Sequence, residues 1–305
     1  MRLVLLALSL LIAFALPARA APPYDVQEVA PRTFAIVGPF GNRTPENLGN
    51  NATFGLVVTD DGAVLIDPGG SEQGAAALDT VVQSLTDQPV RFVINTGGQD
   101  HRWIGNAYWQ ARGATVIASS AAIADQAARA SMQQTMLSTL LGDAFAGTVP
   151  AHADIGFDDS YTLSLGGRTL EIRHPAIAHT PGDSFVWVPD ASTVFTGDIV
   201  YVGRLLGLFD FSSSSQWLEA FDAMAALDPV HVIPGHGPAT DLATAKRETR
   251  DYIAHLRTAM RAYIDEGGDI IGSVEIDQSA FSYLIDFDIL AGRNAQQVFT
   301  EMEWE

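Results

Sequence analysis

Four short stretches of this chain run from apolar residues into a glycine or a proline and present an acid or a histidine there. VRFVIN leads to Asp100 and His101, AIAHTPGDS holds His179, VFTGD ends in Asp198, and VIPGHG holds His236. A scattered set of seven histidines would rarely fall this way. In layered α/β proteins ligands gather at strand ends, because the scaffold there is rigid while the loops vary. The pattern therefore points to an α/β fold whose strands carry their polar residues at their ends.

The periodicity of the rest of the chain agrees. Thr33 to Val37 reads as a strand and Thr53 to Pro68 as a hairpin, its two apolar runs flanking an Asp61-Gly62 turn suited to positive φ. Ser71 to Leu85 has helical spacing at Ala75, Leu78, Val82 and Leu85. A strand at Val90 to Asn95, a helix at Trp103 to Arg112 and a strand at Ala114 to Ala118 follow. Ala121 to Phe145 predicts a long helix with a break near Gly142, and strands are expected at Tyr161 to Leu165, Arg168 to Arg173, Ser184 to Val188 and Thr193 to Thr196. A helix at Gln216 to Leu227, capped from Ser212 to Ser215, precedes a buried strand at His231 to Pro234. Asp241 to Glu266 predicts a helix with one apolar face, and AGRNAQQVFTEMEWE a last one. Strand alternating with helix is the mark of α/β layering.

The N-terminal stretch MRLVLLALSLLIAFALPARA has an arginine at position 2, an apolar run from Leu3 to Leu16 and an Ala18-Arg19-Ala20 pattern, which predicts a signal peptide over 1–20 and one exported domain over 21–305. The run is shorter than the roughly 20 residues that a spanning helix needs. The processed chain is thus expected to be periplasmic or secreted, and off the membrane. The full chain's formal net charge of −19 repels nucleic acid and other polyanions, so the expected partner is a small-molecule substrate. The oligomeric state is not legible. There is no cysteine, which excludes disulfides and leaves only nitrogen and oxygen ligands for any metal.

In its ligand loops the sequence resembles the metallo-β-lactamase superfamily of zinc hydrolases. Asp67-Pro68-Gly69 after the hairpin, then NTGGQDH, AIAHTPGDS, VFTGD and VIPGHG, occur in the same order across nearly all of the chain. GDIVYVGR and the GRNAQQVFTEMEWE tail make it similar to the exported glyoxalase II-like and SoxH-like branch. The resemblance implies a four-layer αββα sandwich with a metal site along one edge of its two sheets. In that superfamily the first ligand loop reads His-x-His-x-Asp-His. Its first two histidines hold one zinc with the histidine matching His179, its Asp-His pair holds a second with the histidine matching His236, and the aspartate matching Asp198 bridges both.

Here Gly97 and Gln99 stand for the first two histidines, and neither is a good partner for Zn²⁺ beside imidazole and carboxylate. The resemblance therefore implies a single zinc on Asp100, His101, Asp198 and His236. Restoring histidine at positions 97 and 99 together is expected to bring back the second ion. The implied activity is hydrolysis of an ester, thioester or amide by zinc-activated water, with Asp100 and His179 as catalytic groups and Gln99 and Arg204 as substrate contacts. Four protein ligands can also close a zinc site, so the alternative is a non-catalytic binding or accessory protein with a structural metal or none. Arg204 reads equally as a surface ion pair and Asp183 as a turn residue. Asp67, Asn95 and Asn106 read as loop-fixing. His152, His174, His231 and His255 read as structural. The Met132 to Phe145 cluster reads as core, with a mobile cover over the cleft as its other reading.

Overall fold

The computed structural model describes residues 24–305, so the expected signal segment lies outside the described residues. The chain opens with four antiparallel strands, β1 (Asp25–Ala30), β2 (Thr33–Val37), β3 (Thr53–Thr59) and β4 (Gly62–Ile66). Helix α1 (Glu72–Leu85) leads to β5 (Val90–Ile94), and α2 (Asn106–Gln110) leads to β6 (Thr115–Ser119). After α3 (Ser120–Leu141) comes β7 (Ile155–Phe157). Strands β4 to β7 pair in parallel, which completes a seven-stranded mixed sheet in chain order.

The second sheet holds β8 (Ser160–Leu165), β9 (Arg168–Arg173), β10 (Phe185–Val188), β11 (Thr193–Phe195) and, after α4 (Ser214–Ala225), β12 (His231–Ile233). Its order is β12-β11-β10-β9-β8, parallel only between β11 and β12. The chain ends with α5 (Leu242–Ala245), a π-helical turn over 246–250, α6 (Asp251–Asp265) and α7 (Phe287–Met302).

Strand alternation sorts the apolar side chains into layers. Val57, Val64, Ile66, Ile94 and Ile117 of the first sheet meet Leu170, Ile172, Val186 and Phe195 of the second between the sheets. The opposite face of the first sheet, Phe54, Leu56 and Leu65, packs on Leu78, Val82 and Trp109 of α1 and α2. Trp217, Phe221, Tyr252 and Val298 cover the outside of the second sheet from α4, α6 and α7. The result is helix, sheet, sheet, helix, the four-layer αββα arrangement. A Cβ on Gly55 would overlap the Phe195 ring, so a glycine in mid-strand lets the sheets close at that point.

Several expected boundaries shift for local reasons. Thr59 pairs with Gly62, so the hairpin turn is Asp60-Asp61, one residue earlier than expected, and Gly62 takes φ 144° at the start of β4. The expected helix over Trp103 to Arg112 is only α2, because a 3-10 turn at Asp100–Arg102 comes first and the Gly105 N–H donates to the Gly69 carbonyl. The long helix ends at Gly142 (φ 54°) as expected. The 241–266 segment contains the π turn, in which Thr249 Oγ1 bonds both the N–H and the C=O of Tyr201. Strands β1 and β7 were not expected; β7 is only three residues long, too short to show a period, although its Phe157 is buried between the sheets.

Candidate metal centre

The ends of β5, β11 and β12 bring His101, Asp198 and His236 together. Their ligating atoms all lie within 4.8 Å of one another, and all three side chains are buried. His236 Nε2 is 3.2 Å from Asp198 Oδ1, and His101 Nε2 is 3.5 Å from Asp198 Oδ2. The two imidazole rings meet edge to face at 5.1 Å, and Tyr201 stacks on His236 at 4.7 Å. His179, between β9 and β10, lines the same cavity as His101 and His236, as do Gln99, Tyr201 and Arg204.

Hydrogen bonding aims these rings. His236 Nδ1 bonds the Asn51 carbonyl at 2.9 Å and His179 Nδ1 the Gly207 carbonyl at 3.0 Å. A carbonyl only accepts, so in both rings Nδ1 carries the proton and Nε2 offers a lone pair. His101 Nδ1 lies 3.0 Å from Asp100 Oδ1, while its buried Nε2 has no hydrogen-bond partner. Burial lowers the pKa of His179 to about 4 against the pull of Asp198, and that of His236 well below 6.5 for the same reason, so both stay neutral at pH 7.

Two imidazoles and a carboxylate around an unpartnered buried nitrogen fit a single divalent ion, because catalytic zinc sites take three protein ligands and keep one position open. The expected fourth ligand, Asp100, is not in the group. Its Oδ1 accepts from Arg43 NH2 at 2.6 Å and from Arg43 Nε at 3.2 Å. Burial works against the charge on Asp100, yet the Arg43 guanidinium and His101 hold its carboxyl well below the usual range. Counting explains the displacement: from Gly97 and Gln99, His-x-His-x-Asp-His puts its acid at His101 and its last histidine at Arg102.

Arg102, which the sequence reading missed, is wholly buried beneath the group. It bonds Asp198 Oδ1 and Asp67 Oδ2 at 2.7 Å each, and the carbonyls of Gly235 and Thr53 at 2.9 and 3.2 Å. Burial disfavours a charged Asp198, but Arg102 and the two imidazoles outweigh it and keep the carboxyl well below its ordinary value. Asp67 also accepts from the Thr96 N–H and hydroxyl, which gives it the loop-fixing role expected of it.

The side-chain space at the two glycines of this loop is taken. A Cβ at Gly97 would overlap Asp183 Oδ1, and one at Gly98 would overlap the Asp125 carboxylate, itself paired with Arg129. Asp183 accepts from the Thr180 N–H and hydroxyl, a turn role, and burial together with the nearby Asp198 raises its pKa to about 8. Helix α3 clamps this loop. Gln126 and Gln133 donate to the carbonyls of Gly97 and Gly98, Arg129 NH1 reaches Gln99 Oε1 at 3.4 Å, and Trp103 Nε1 donates to Gln133. Leu137 and Leu141 of the same helix join Trp103 in the core, and no α3 residue lines the cavity, so the helix is a buttress rather than a cover. Asn95 and Asn106 bond each other's amides, and His152 stacks on Trp103. His174 Nδ1 bonds the Asp183 carbonyl, and His255 Nε2 the Asp277 carbonyl.

A four-layer αββα sandwich with histidines and acids meeting at one edge of its sheets defines a class of metallo-hydrolase-like folds. The chain belongs to the metallo-beta-lactamase superfamily, whose sequence profile matches residues 49–236. It is 30% identical over 93 residues to the metallo-beta-lactamase type 2 of Bacteroides fragilis, a match spanning 29% of this chain and 36% of that protein. The chain thus covers only about a third of that relative's length. Among solved structures it is similar to a metallo-beta-lactamase from Pontibacter korlensis (TM-score 0.61, 20% identity, 75% of this chain and 98% of that one). It is also similar to the inverting sec-alkylsulfatase Pisa1 from Pseudomonas sp. (TM-score 0.71, 16% identity, 92% of this chain and 50% of that one). At these identities the likeness shows the fold. The relatives named are lactamases and an alkylsulfatase, and they do not single out the glyoxalase II-like branch.

Proposed function

We propose that this chain is a metal-dependent hydrolase that uses one zinc ion, held by His101, Asp198 and His236, to cleave an ester, thioester or amide of a small molecule. The observation that carries the reading is the buried, unpartnered Nε2 of His101 beside Asp198 and the Nε2 of His236. Bound zinc supplies Lewis acidity and a nucleophilic water at neutral pH. His179, neutral at pH 7 and on the cavity wall with its Nδ1 proton held by the Gly207 carbonyl, would offer its Nε2 lone pair to orient a proton-bearing group there. Asp100 keeps a role at the site by fixing the His101 ring rather than as a ligand. Gln99 and Arg204, both on the cavity wall, position the substrate. Placement with the exported glyoxalase II-like and SoxH-like enzymes, and a periplasmic or secreted location, remain part of the reading. N-terminal sequencing of the exported protein, expected to begin at Ala21, tests the location.

The accessory-protein reading has one observation on its side: Arg102, shared with Asp67, already pairs with Asp198. Elemental analysis of the purified protein and a turnover screen over esters, thioesters and lactams decide between them. The enzyme reading expects one zinc per chain and turnover lost on chelation, restored by zinc and abolished by His236→Ala. A metal-free protein, or a zinc-loaded one inert on every class, overturns it.

A further inference from the structure

We infer that Arg43 is a positioning residue that sets the tautomer of His101, holding the ring in the form whose Nε2 carries the proton and so keeps that nitrogen from a metal. This rests on the zinc reading of the site for its consequence but not for the contact itself. Arg43 lies in the loop between β2 and β3, and its side chain, 14% exposed, reaches the cavity wall beside His101. There His101 Nδ1 has two neighbours of opposite kind. Arg43 NH2 lies 3.2 Å away in hydrogen-bonding geometry, and Asp100 Oδ1 lies 3.0 Å away but out of line. A guanidinium only donates and a carboxylate only accepts, so each neighbour selects a different tautomer of the ring.

The donors already on Asp100 decide between them. Its Oδ1 accepts from Arg43 Nε at 3.2 Å, from Arg43 NH2 at 2.6 Å and from the His101 backbone N–H at 2.8 Å. A carboxylate has about four lone-pair sites over its two oxygens, so the ring N–H would crowd onto an oxygen that is already full. Arg43 NH2, by contrast, has a hydrogen for Asp100 and another for Nδ1. With Nδ1 accepting, the proton goes to Nε2, 3.5 Å from Asp198 Oδ2. The same loop treats the other imidazole in the opposite sense, because the Asn51 carbonyl takes the Nδ1 proton of His236 and leaves its Nε2 free. A divalent ion therefore binds only the fraction of molecules in which the His101 proton has moved to Nδ1 and Arg43 has released the ring, and its apparent affinity is lowered by that fraction. Arg43→Lys separates charge from reach. Its ammonium stands about where the centre of the guanidinium does, near enough to pair with Asp100 and about one bond short of Nδ1.

Long-range proton–nitrogen correlation spectra of isotope-labelled, chelator-treated protein read the tautomer directly, with the His101 signals assigned by their loss in His101→Gln. The wild type should show His101 protonated at Nε2, and Arg43→Lys should move the proton to Nδ1. Competition with a chromophoric chelator should give Arg43→Lys a zinc affinity about ten-fold above that of the wild type, the gain expected if roughly a tenth of wild-type molecules hold the ligating tautomer. A merely structural lesion would weaken zinc binding rather than tighten it. A proton on His101 Nδ1 in the chelated wild type, a tautomer indifferent to Arg43→Lys, or a shifted tautomer with the affinity for bound zinc unchanged overturns the inference. A tautomer that follows Arg43 in a protein that takes up no zinc, wild type or variant, leaves the inference standing and sinks the hydrolase reading alone.

Discussion

Beneath Asp198, where the superfamily's loop ends in a metal-binding histidine, this chain has Arg102, a cation that cannot leave. Beside it, at the position of a ligand histidine, Gly97 leaves room that Asp183 fills. The second ion is therefore not recovered by restoring ligands. A Gly97→His, Gln99→His double variant should still bind one zinc by elemental analysis, and its urea midpoint should fall with an overpacking cost of about 1–3 kcal/mol. Uptake of two ions would show that the filled pocket can be reopened. His179 makes a pH prediction for the chelated protein. Burial depresses its folded pKa to about 4 from the ordinary 6.5, so below 6.5 the unfolded chain binds the extra proton. The contribution is fully present above pH 6.5 and is lost as pH falls toward 4, on the order of 3 kcal/mol. His179→Asn should flatten the urea stability profile across that window, and an unchanged slope would remove His179 as its source.

Among the elements, α3 carries information that its apolar pattern conceals. Its buried polar residues Gln126 and Gln133 are seven positions apart and so share a face, the face that grips the backbone of 97–98. Gln133→Leu leaves both the Gly98 carbonyl and Trp103 Nε1 without a partner, at about 1–3 kcal/mol for each buried group. Urea unfolding should show that loss, and an unmoved midpoint would mean the clamp is idle. The elements with strong periodicity, such as α1, β3, β4 and β5, stand close to where the residue pattern predicts them. The exceptions are instructive: β1 is half-exposed and β7 has three residues, Phe157 among them buried, so neither is long or regular enough to show a period, and each is aligned by the hydrogen bonds of a neighbouring strand. The π turn that holds Tyr201 likewise has no signature in the sequence spacing.

At the scale of the whole molecule, a formal charge of −19 surrounds a cavity whose charged wall is cationic. A field of that sign repels an anion at a distance. Raising salt from about 10 to 150 mM shortens the Debye length from about 30 to 8 Å and so screens that field. The association rate of an anionic substrate in stopped flow should therefore rise over that range, and a falling rate would mean that the arginines of the cavity wall dominate steering. Sequence alone determined the α/β alternation and the candidates at its strand ends, because periodicity and turn chemistry act over a few residues. His101, Asp198, His236 and His179 were all legible in that way. Tertiary structure decided which candidates meet. The His236 ring is oriented by Asn51, 185 positions away, and Asp100 is claimed by Arg43, 57 positions away in a loop with no periodic signal. Whether an acid beside a histidine becomes its neighbour's ligand or an arginine's partner depends on which loops the closing sheets bring to it, and that is a property of the folded chain only.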